Sequence, residues 1–101
     1  MKVIIKRSIK PKKKLMAIFY IKDSKGNLNK KRTIHFGSAG MDDYTITKDK
    51  KQRERYLNRH RSAENWLRPM TAGALSRWIL WGNSTSRQKN ISDFKKRFNL
   101  N

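Results

Sequence analysis

An excess of positive charge constrains this chain more than any other feature of its sequence. The 101 residues include 26 Lys or Arg and only seven Asp or Glu, which gives a formal net charge of +19 with His neutral. Self-repulsion of this size works against a compact state, and a densely anionic partner would relieve it. Duplex DNA carries about one charge per 1.7 Å of helix axis. The charge therefore predicts a polyanion, above all nucleic acid, as the partner.

This positive charge is spread along the chain. Residues 1–32 contain 12 basic residues and one acid, residues 48–62 contain seven and two, and residues 66–101 contain seven and one. A detachable tail would concentrate the charge at one end. We therefore expect the folded body itself to be basic on more than one face. An anionic membrane surface or an acidic protein is the alternative partner.

The sequence also narrows the compartment and the chemistry. It contains no cysteine, so disulfides, thiolate zinc sites and a cysteine nucleophile are excluded. Its first residues lack the apolar stretch of roughly 7–15 residues that a signal peptide needs. No run approaches the roughly 18 apolar residues that span a bilayer. We expect a soluble protein that acts inside a cell or is packaged there, and we predict no cofactor.

Short apolar clusters predict a single α+β domain over residues 1–101. Their spacing changes from a period of two to the helical period of about 3.6 near residue 47. The predicted strands are residues 2–9, 14–22 and 28–36, and the predicted helices are residues 48–62, 72–81 and 86–98. We expect a small N-terminal antiparallel three-stranded sheet in meander order, packed by two or three helices from the second half.

Local signals refine this fold. Residues 14–22 are apolar on both faces near their middle, which predicts a central strand that is covered on both sides. Thr47, Thr71 and either Ser84 or Ser86 are candidate helix N-caps. Residues 41–47 are expected to be irregular and partly buried.

The predicted helix 48–62 is the leading candidate contact element, because it combines many cations with little apolar surface. Arginine binds phosphate bidentately and lysine adds a point charge. The alternative is a solvated helix with Arg53, Leu57 and His60 partly buried. The lysines around Pro11 form a second basic patch, which also fits an edge strand protected against aggregation. The predicted nucleic-acid-binding residues are Lys12, Lys13, Lys14, Lys31, Arg32, Lys48, Lys51, Arg53, Arg55, Arg59, His60 and Arg61.

Other motifs favour ordinary structural roles over enzymatic ones. Asp42, Asp43 and His60 supply ligand types used by metal-dependent nucleases, but their spacing matches no nuclease motif, and we predict neither enzymatic activity nor a metal site. Residues 37–40 lack the Lys-Ser/Thr ending of a phosphate-binding loop and are expected to be a tight connection. Trp78 is predicted to lie in the core; Trp66 and Trp81 fit either the core or an exposed contact surface.

Four segments in the middle of the chain carry a family resemblance. In order they read HFGSAGMDDYT (35–45), KDKKQRERYLNRHR (48–61), ENW (64–66) and TAGALSRWILWG (71–82). They resemble a small basic domain family of unknown function found in large double-stranded DNA viruses. The resemblance covers about residues 35–82. It implies a viral protein in the host nucleus, the host cytoplasm or the virion, and it supplies no catalytic residues.

Charge, composition and resemblance together predict a non-enzymatic protein that binds nucleic acid, DNA in preference to RNA, with little sequence specificity. Its role would be the coating, condensation or packaging of a viral genome through phosphate contacts. The alternative is a minor structural virion protein that bridges shell and genome or docks on an acidic protein partner.

Overall fold

The chain folds into a three-stranded antiparallel sheet followed by helices, which confirms the predicted α+β class. The computed structural model describes all residues, 1–101. The strands are β1 (Lys2–Arg7), β2 (Lys13–Lys22) and β3 (Leu28–Ser38), in the spatial order β1-β2-β3. The helices are α1 (Tyr44–Thr47), α2 (Lys50–His60), α3 (Ala72–Leu75) with a π-helical continuation (Ser76–Leu80), and α4 (Arg87–Arg97).

Strand β2 lies in the centre of the sheet, as its two-sided apolar pattern predicts. Ile18 pairs with Ile4 of β1 and with Thr33 of β3. Ala17 and Phe19 belong to the apolar cluster that packs against the helices. Ile18 is also buried, but it faces the other way and lies outside that cluster. The helices therefore cover one face of the sheet, and the expectation that β2 is covered on both sides is not met by them.

A β-bulge changes the register of the β2–β3 hairpin. Phe19 lies opposite Arg32, whereas the next residue, Tyr20, lies opposite Lys30. Lys31 is the extra residue, and a bulge reverses the alternation of side chains beyond it. Simple alternation would place Leu28 on the inward face with Phe36. The bulge instead leaves Leu28 opposite Lys22, with 45% of its surface exposed.

The core joins the inward face of the sheet to the helices. Its largest fully buried side chains include Phe19, Phe36 and Phe94, and burying a side chain of this size contributes about 1.5–3 kcal/mol. Gly37 follows Phe36 near the end of β3 and has a positive φ of +76°. A Cβ at this position would lie 2.7 Å from Leu80 Cδ1. Only glycine therefore lets β3 approach the π-helical segment this closely.

The helix caps confirm two of the three predicted sites. Thr71 and Ser86 accept backbone N–H groups at the starts of α3 and α4. The prediction of Thr47 is wrong, because Lys48 adopts a left-handed conformation with φ 58° that ends α1. Helix α2 therefore begins later than predicted, and Asp49 caps it.

The helix that starts at Ala72 widens before it ends. The N–H of Trp81 donates to Ser76 O at 3.0 Å, five residues back, which defines a π turn. Buried Asn90 of α4 donates to Ile79 O at 2.9 Å and thereby satisfies a carbonyl near the helix end. Such a polar contact ties α4 to this helix in addition to their apolar packing.

Candidate nucleic-acid interface

Few of the basic side chains have an acidic partner. Of the 26 Lys and Arg residues, only Lys14 and Arg87 lie within ion-pair distance of a carboxylate, and both contact Asp43. The other ion-pair contact joins His60 to Glu64. The few acids of the sequence are thus not positioned so that each one neutralises several basic side chains. Most of the positive charge is uncompensated within the fold.

Asp43 is the one buried carboxylate that organises cations. Its side chain is only 1% exposed, and it accepts from Lys14 Nζ at 2.6 Å and from Arg87 Nη2 at 3.2 Å. It also caps α1 by accepting the N–H of Thr45. Burial raises the pKa of Asp43, but the hydrogen bonds from Lys14 and Thr45 and the charge of Lys14 outweigh burial and lower it overall. Asp43 therefore connects β2, α1 and α4 through its ionised form.

Helix α2 presents cations on two different sides. Arg53 points inward, where its guanidinium donates to Trp81 O, Gly82 O and Asn83 Oδ1 at 2.9–3.2 Å. Arg55 and Arg59 are exposed and make no hydrogen bond within the chain. The prediction treated the cations of this helix as one phosphate-binding set. In the structure, Arg53 has internal partners, whereas Arg55 and Arg59 remain available for phosphate.

A second internally bonded arginine lies near Arg53. Arg77 Nη1 donates to Trp81 O at 3.0 Å, and its guanidinium lies 5.1 Å from the ring centre of Trp66 and 4.3 Å from that of Trp78. Burial, followed by the charges of Arg53 and Arg97, lowers the pKa of Arg77 to about 10. The carbonyl oxygen and the two indole faces offset part of this cost of burying Arg77, which pairs with no carboxylate.

The segments of the family resemblance meet at a groove. It has a volume of about 750 Å³ and lies between the 36–43 connection, α2 and the start of α3. Lys13, Arg55 and Arg59 contribute cations to its lining, and Asp42 contributes an exposed acid. The groove therefore offers more unpaired positive than negative groups.

His60 occupies the wall of this groove. Its Nδ1 lies 2.8 Å from Glu64 Oε1, although Oε1 accepts no aligned hydrogen bond, so the contact is an ion pair only when the imidazole is protonated. The Glu64 carboxylate lies so close to Gly73 that a Cβ there would collide with Oε2. The imidazole also stacks on Tyr56, with ring centres 4.2 Å apart. Burial, then the charge of Glu64, raises the pKa of Tyr56, which keeps its phenol neutral.

The structure brings together some of the predicted site residues and separates others. Those that line the groove are Lys13, Lys14, Arg55, Arg59 and His60. Lys12, Lys48, Lys51 and Arg61 are exposed outside it. Lys31 and Arg32 lie on the β2–β3 hairpin, where Arg32 also borders a separate groove with residues 67–72. Lys14 and Arg53 already have internal partners and are less available than the rest.

The tip of the β2–β3 hairpin carries basic residues that sequence reasoning missed. Residues 21–32 are exposed without interruption. Lys22, Lys25 and Lys30 lie on this arm together with Lys31 and Arg32, while its one acid, Asp23, is used in the turn. A two-stranded β-ribbon fits the major groove of duplex DNA. A run of lysines on both sides of a turn is the sequence signal that could have identified these residues.

The structure also shows where the residues of the other sequence motifs lie. Asp42, Asp43 and His60 line one groove, but no three His, Asp or Glu side chains of the chain lie close enough together to hold a metal ion. Residues 37–40 end β3 and lead into α1. Trp81 is buried in the core, and Trp66 and Trp78 are half-buried against it.

One comparison with known proteins finds a match for this chain. A family of unknown function (DUF5754) matches residues 3–60, more than half of the chain. The chain belongs to this family. The match includes the sheet and α2, and it stops before the last two segments of the resemblance. No curated protein and no solved structure matches the chain. None of its helices has both the length and the apolar character that crossing a bilayer requires.

Proposed function

We propose that this protein binds nucleic acid without catalysing a reaction and does so through phosphate contacts that depend little on sequence. The observation that carries the proposal is that only two of 26 basic side chains have a carboxylate partner. The unpaired cations repel one another in the free protein. Phosphates relieve this repulsion and release counterions when they bind.

The placement of the unpaired cations supports an extended contact. They occur on the outward side of α2, on the hairpin arm and at Lys12 and Lys13, where β2 begins. The molecule is 48 Å long, and a duplex of this length carries roughly 28 charges at about one per 1.7 Å. A contact with about 6–10 phosphates therefore needs only part of that length.

The resemblance to proteins of large DNA viruses suggests which nucleic acid is bound and in which process. It favours DNA over RNA and a role in coating, condensing or packaging a viral genome, in the host nucleus or cytoplasm or in the virion. A minor virion protein that docks on an acidic protein partner is the alternative. Exposed Trp or Phe side chains would favour the alternative, and none is among the exposed large apolar residues, which include Ile9 and Leu67.

The test is the affinity of the pure protein for duplex and single-stranded DNA and RNA at about 50 and 200 mM salt. With about 6–10 phosphate contacts, affinity should fall by roughly 10³–10⁵ between these concentrations. Equal affinity at both concentrations would contradict a phosphate-driven contact. If no binding is detectable at low salt, the proposal is wrong, and the alternative of docking on an acidic protein partner is favoured.

A further inference from the structure

A column of three stacked rings runs from the core to the groove. The rings of Trp81 and Tyr56 lie 4.2 Å apart at an angle of 5°, and those of Tyr56 and His60 lie 4.2 Å apart at 27°. Two rings cannot share one face of Tyr56 at this distance, so Trp81 and His60 cover opposite faces. The column therefore has its inner end at Trp81 and its outer end at His60.

The outer end of the column is open. All three rings border the groove, but Trp81 and Tyr56 are buried, with exposures of 8% each, whereas the side chain of His60 is 39% exposed. Its contact with Glu64 restrains the imidazole ring from one side. A planar group in the groove can extend the stack on the free side of the ring, and every nucleobase offers such a surface.

The same groove supplies groups for the phosphate of a nucleotide. Lys13, Arg55 and Arg59 line it and make no internal side-chain bond. Of the acids on its wall, Asp43 is already paired with Lys14, and Glu64 lies against His60. Unpaired arginine forks bind phosphate bidentately. The groove therefore combines a stacking platform with free cations.

We infer that this groove holds one unpaired nucleotide of a bound strand, with its base stacked on His60 and its phosphate between Lys13 and the two arginines. The volume of about 750 Å³ lies within the range of about 300–1,000 Å³ for sites of small ligands. A base inside a duplex has both faces covered by its neighbours, so it cannot extend the column. This inference rests on the proposed function and adds a preference for single strands, ends or extruded bases.

The test compares His60→Ala with His60→Phe, and Asn58→Ala is the control because Asn58 is exposed on the same helix. The probes are a single strand of about 15 nucleotides, within the range of single-strand site sizes, the same strand with abasic positions, and the matching duplex. His60→Ala should weaken binding of the intact strand by about tenfold, as expected for the loss of one stacked base. His60→Phe and Asn58→Ala should bind like the wild type.

The abasic strand separates stacking from charge. It should bind the wild-type protein more weakly than the intact strand does, and His60→Ala should not weaken it further. Duplex binding should be unchanged in Asn58→Ala, and His60→Ala should weaken it less than it weakens binding of the intact single strand. If His60→Ala affects intact and abasic strands equally, or neither of them, the inference is wrong although the proposed function stands. If neither single strand nor duplex binds at low salt, both are wrong. Should His60→Ala fail to fold, equal wild-type affinity for intact and abasic strands would still overturn the inference.

Discussion

Arginines on the two sides of helix α2 differ in what they contact, although they lie two residues apart. Arg53 donates to two carbonyls and one amide oxygen near the end of the π-helical segment. Arg55 has no partner within the chain and faces the groove. Because an α-helix turns by about 100° per residue, two residues place them on nearly opposite sides of the helix. The comparison shows that positive charge has two uses here, one internal and one directed outward.

The same contrast holds between the surroundings of Asp43 and the hairpin arm. Asp43 joins Lys14 and Arg87 inside the fold, while the lysines at residues 22–31 are exposed and have no acidic partner. Substitutions of the internal set should reduce stability. Substitutions of the outward set should reduce binding and leave stability unchanged.

The largest effect is expected from Asp43→Ala. It removes the only carboxylate that pairs with Lys14 and Arg87, and it leaves a largely buried lysine without a partner. Removal of one member of a buried pair costs about 3 kcal/mol or more. Urea unfolding measures the change, and Asp42→Ala is the matched control because Asp42 is exposed and unpaired. Equal costs for the two variants would contradict the role assigned to Asp43.

The next effect distinguishes the two sides of α2. Arg53→Ala should lower the free energy of unfolding by about 2 kcal/mol, because hydrogen bonds to a charged group contribute about 1.5–3 kcal/mol. Arg55→Ala should change it by less than about 0.5 kcal/mol, as surface substitutions usually do. Thermal and urea unfolding of the two variants provide the comparison. A similar loss in both would show that Arg55 has internal partners too.

A smaller effect should appear in the pH dependence of stability. The folded-state pKa of Asp43 is lowered from its usual value of 3.8. Its contribution to stability is therefore complete above that value and is lost as pH falls through the lower folded pKa. The difference in free energy of unfolding between wild type and Asp43→Asn should shrink on acidification below about pH 4. A difference that grows towards low pH would reverse the assigned sign.

The smallest effect on stability is expected for Lys12→Ala combined with Lys13→Ala. Both lysines are exposed and lack an acidic partner, so the free energy of unfolding should change by less than about 0.5 kcal/mol. Each lost phosphate contact should reduce the salt slope of binding by about one unit. Loss of stability without any change in slope would assign these two lysines a structural role in place of a phosphate contact.

Much of the fold could be predicted because period and turn chemistry are local signals. Asp23 and Gly26 mark the hairpin turn, and Thr71 and Ser86 mark helix starts. The bulge at Lys31 could not be predicted, because it depends on how β2 and β3 pair. The π turn after Ala72 depends on packing against α4 in the same way.

The candidate site was harder to predict than the fold. A count of cations cannot separate Arg53 from Arg55, since only the tertiary structure decides which of them meets a carbonyl. The same holds for Lys14, whose partner Asp43 is distant in sequence. The column of rings that ends at His60 could not be predicted either, because Tyr56 and Trp81 are distant in sequence and come into contact only in the folded structure.

The most direct test of the division between internal and outward cations is the salt dependence of binding to two unrelated duplexes. Wild type, Asn58→Ala and the double variant Arg55→Ala with Arg59→Ala are compared at several salt concentrations. The double variant should lose affinity equally on both sequences, and its slope should fall by about two units, while Asn58→Ala matches the wild type. An unchanged slope would contradict the account, as would a loss of about 1–3 kcal/mol on one sequence alone, which indicates base reading.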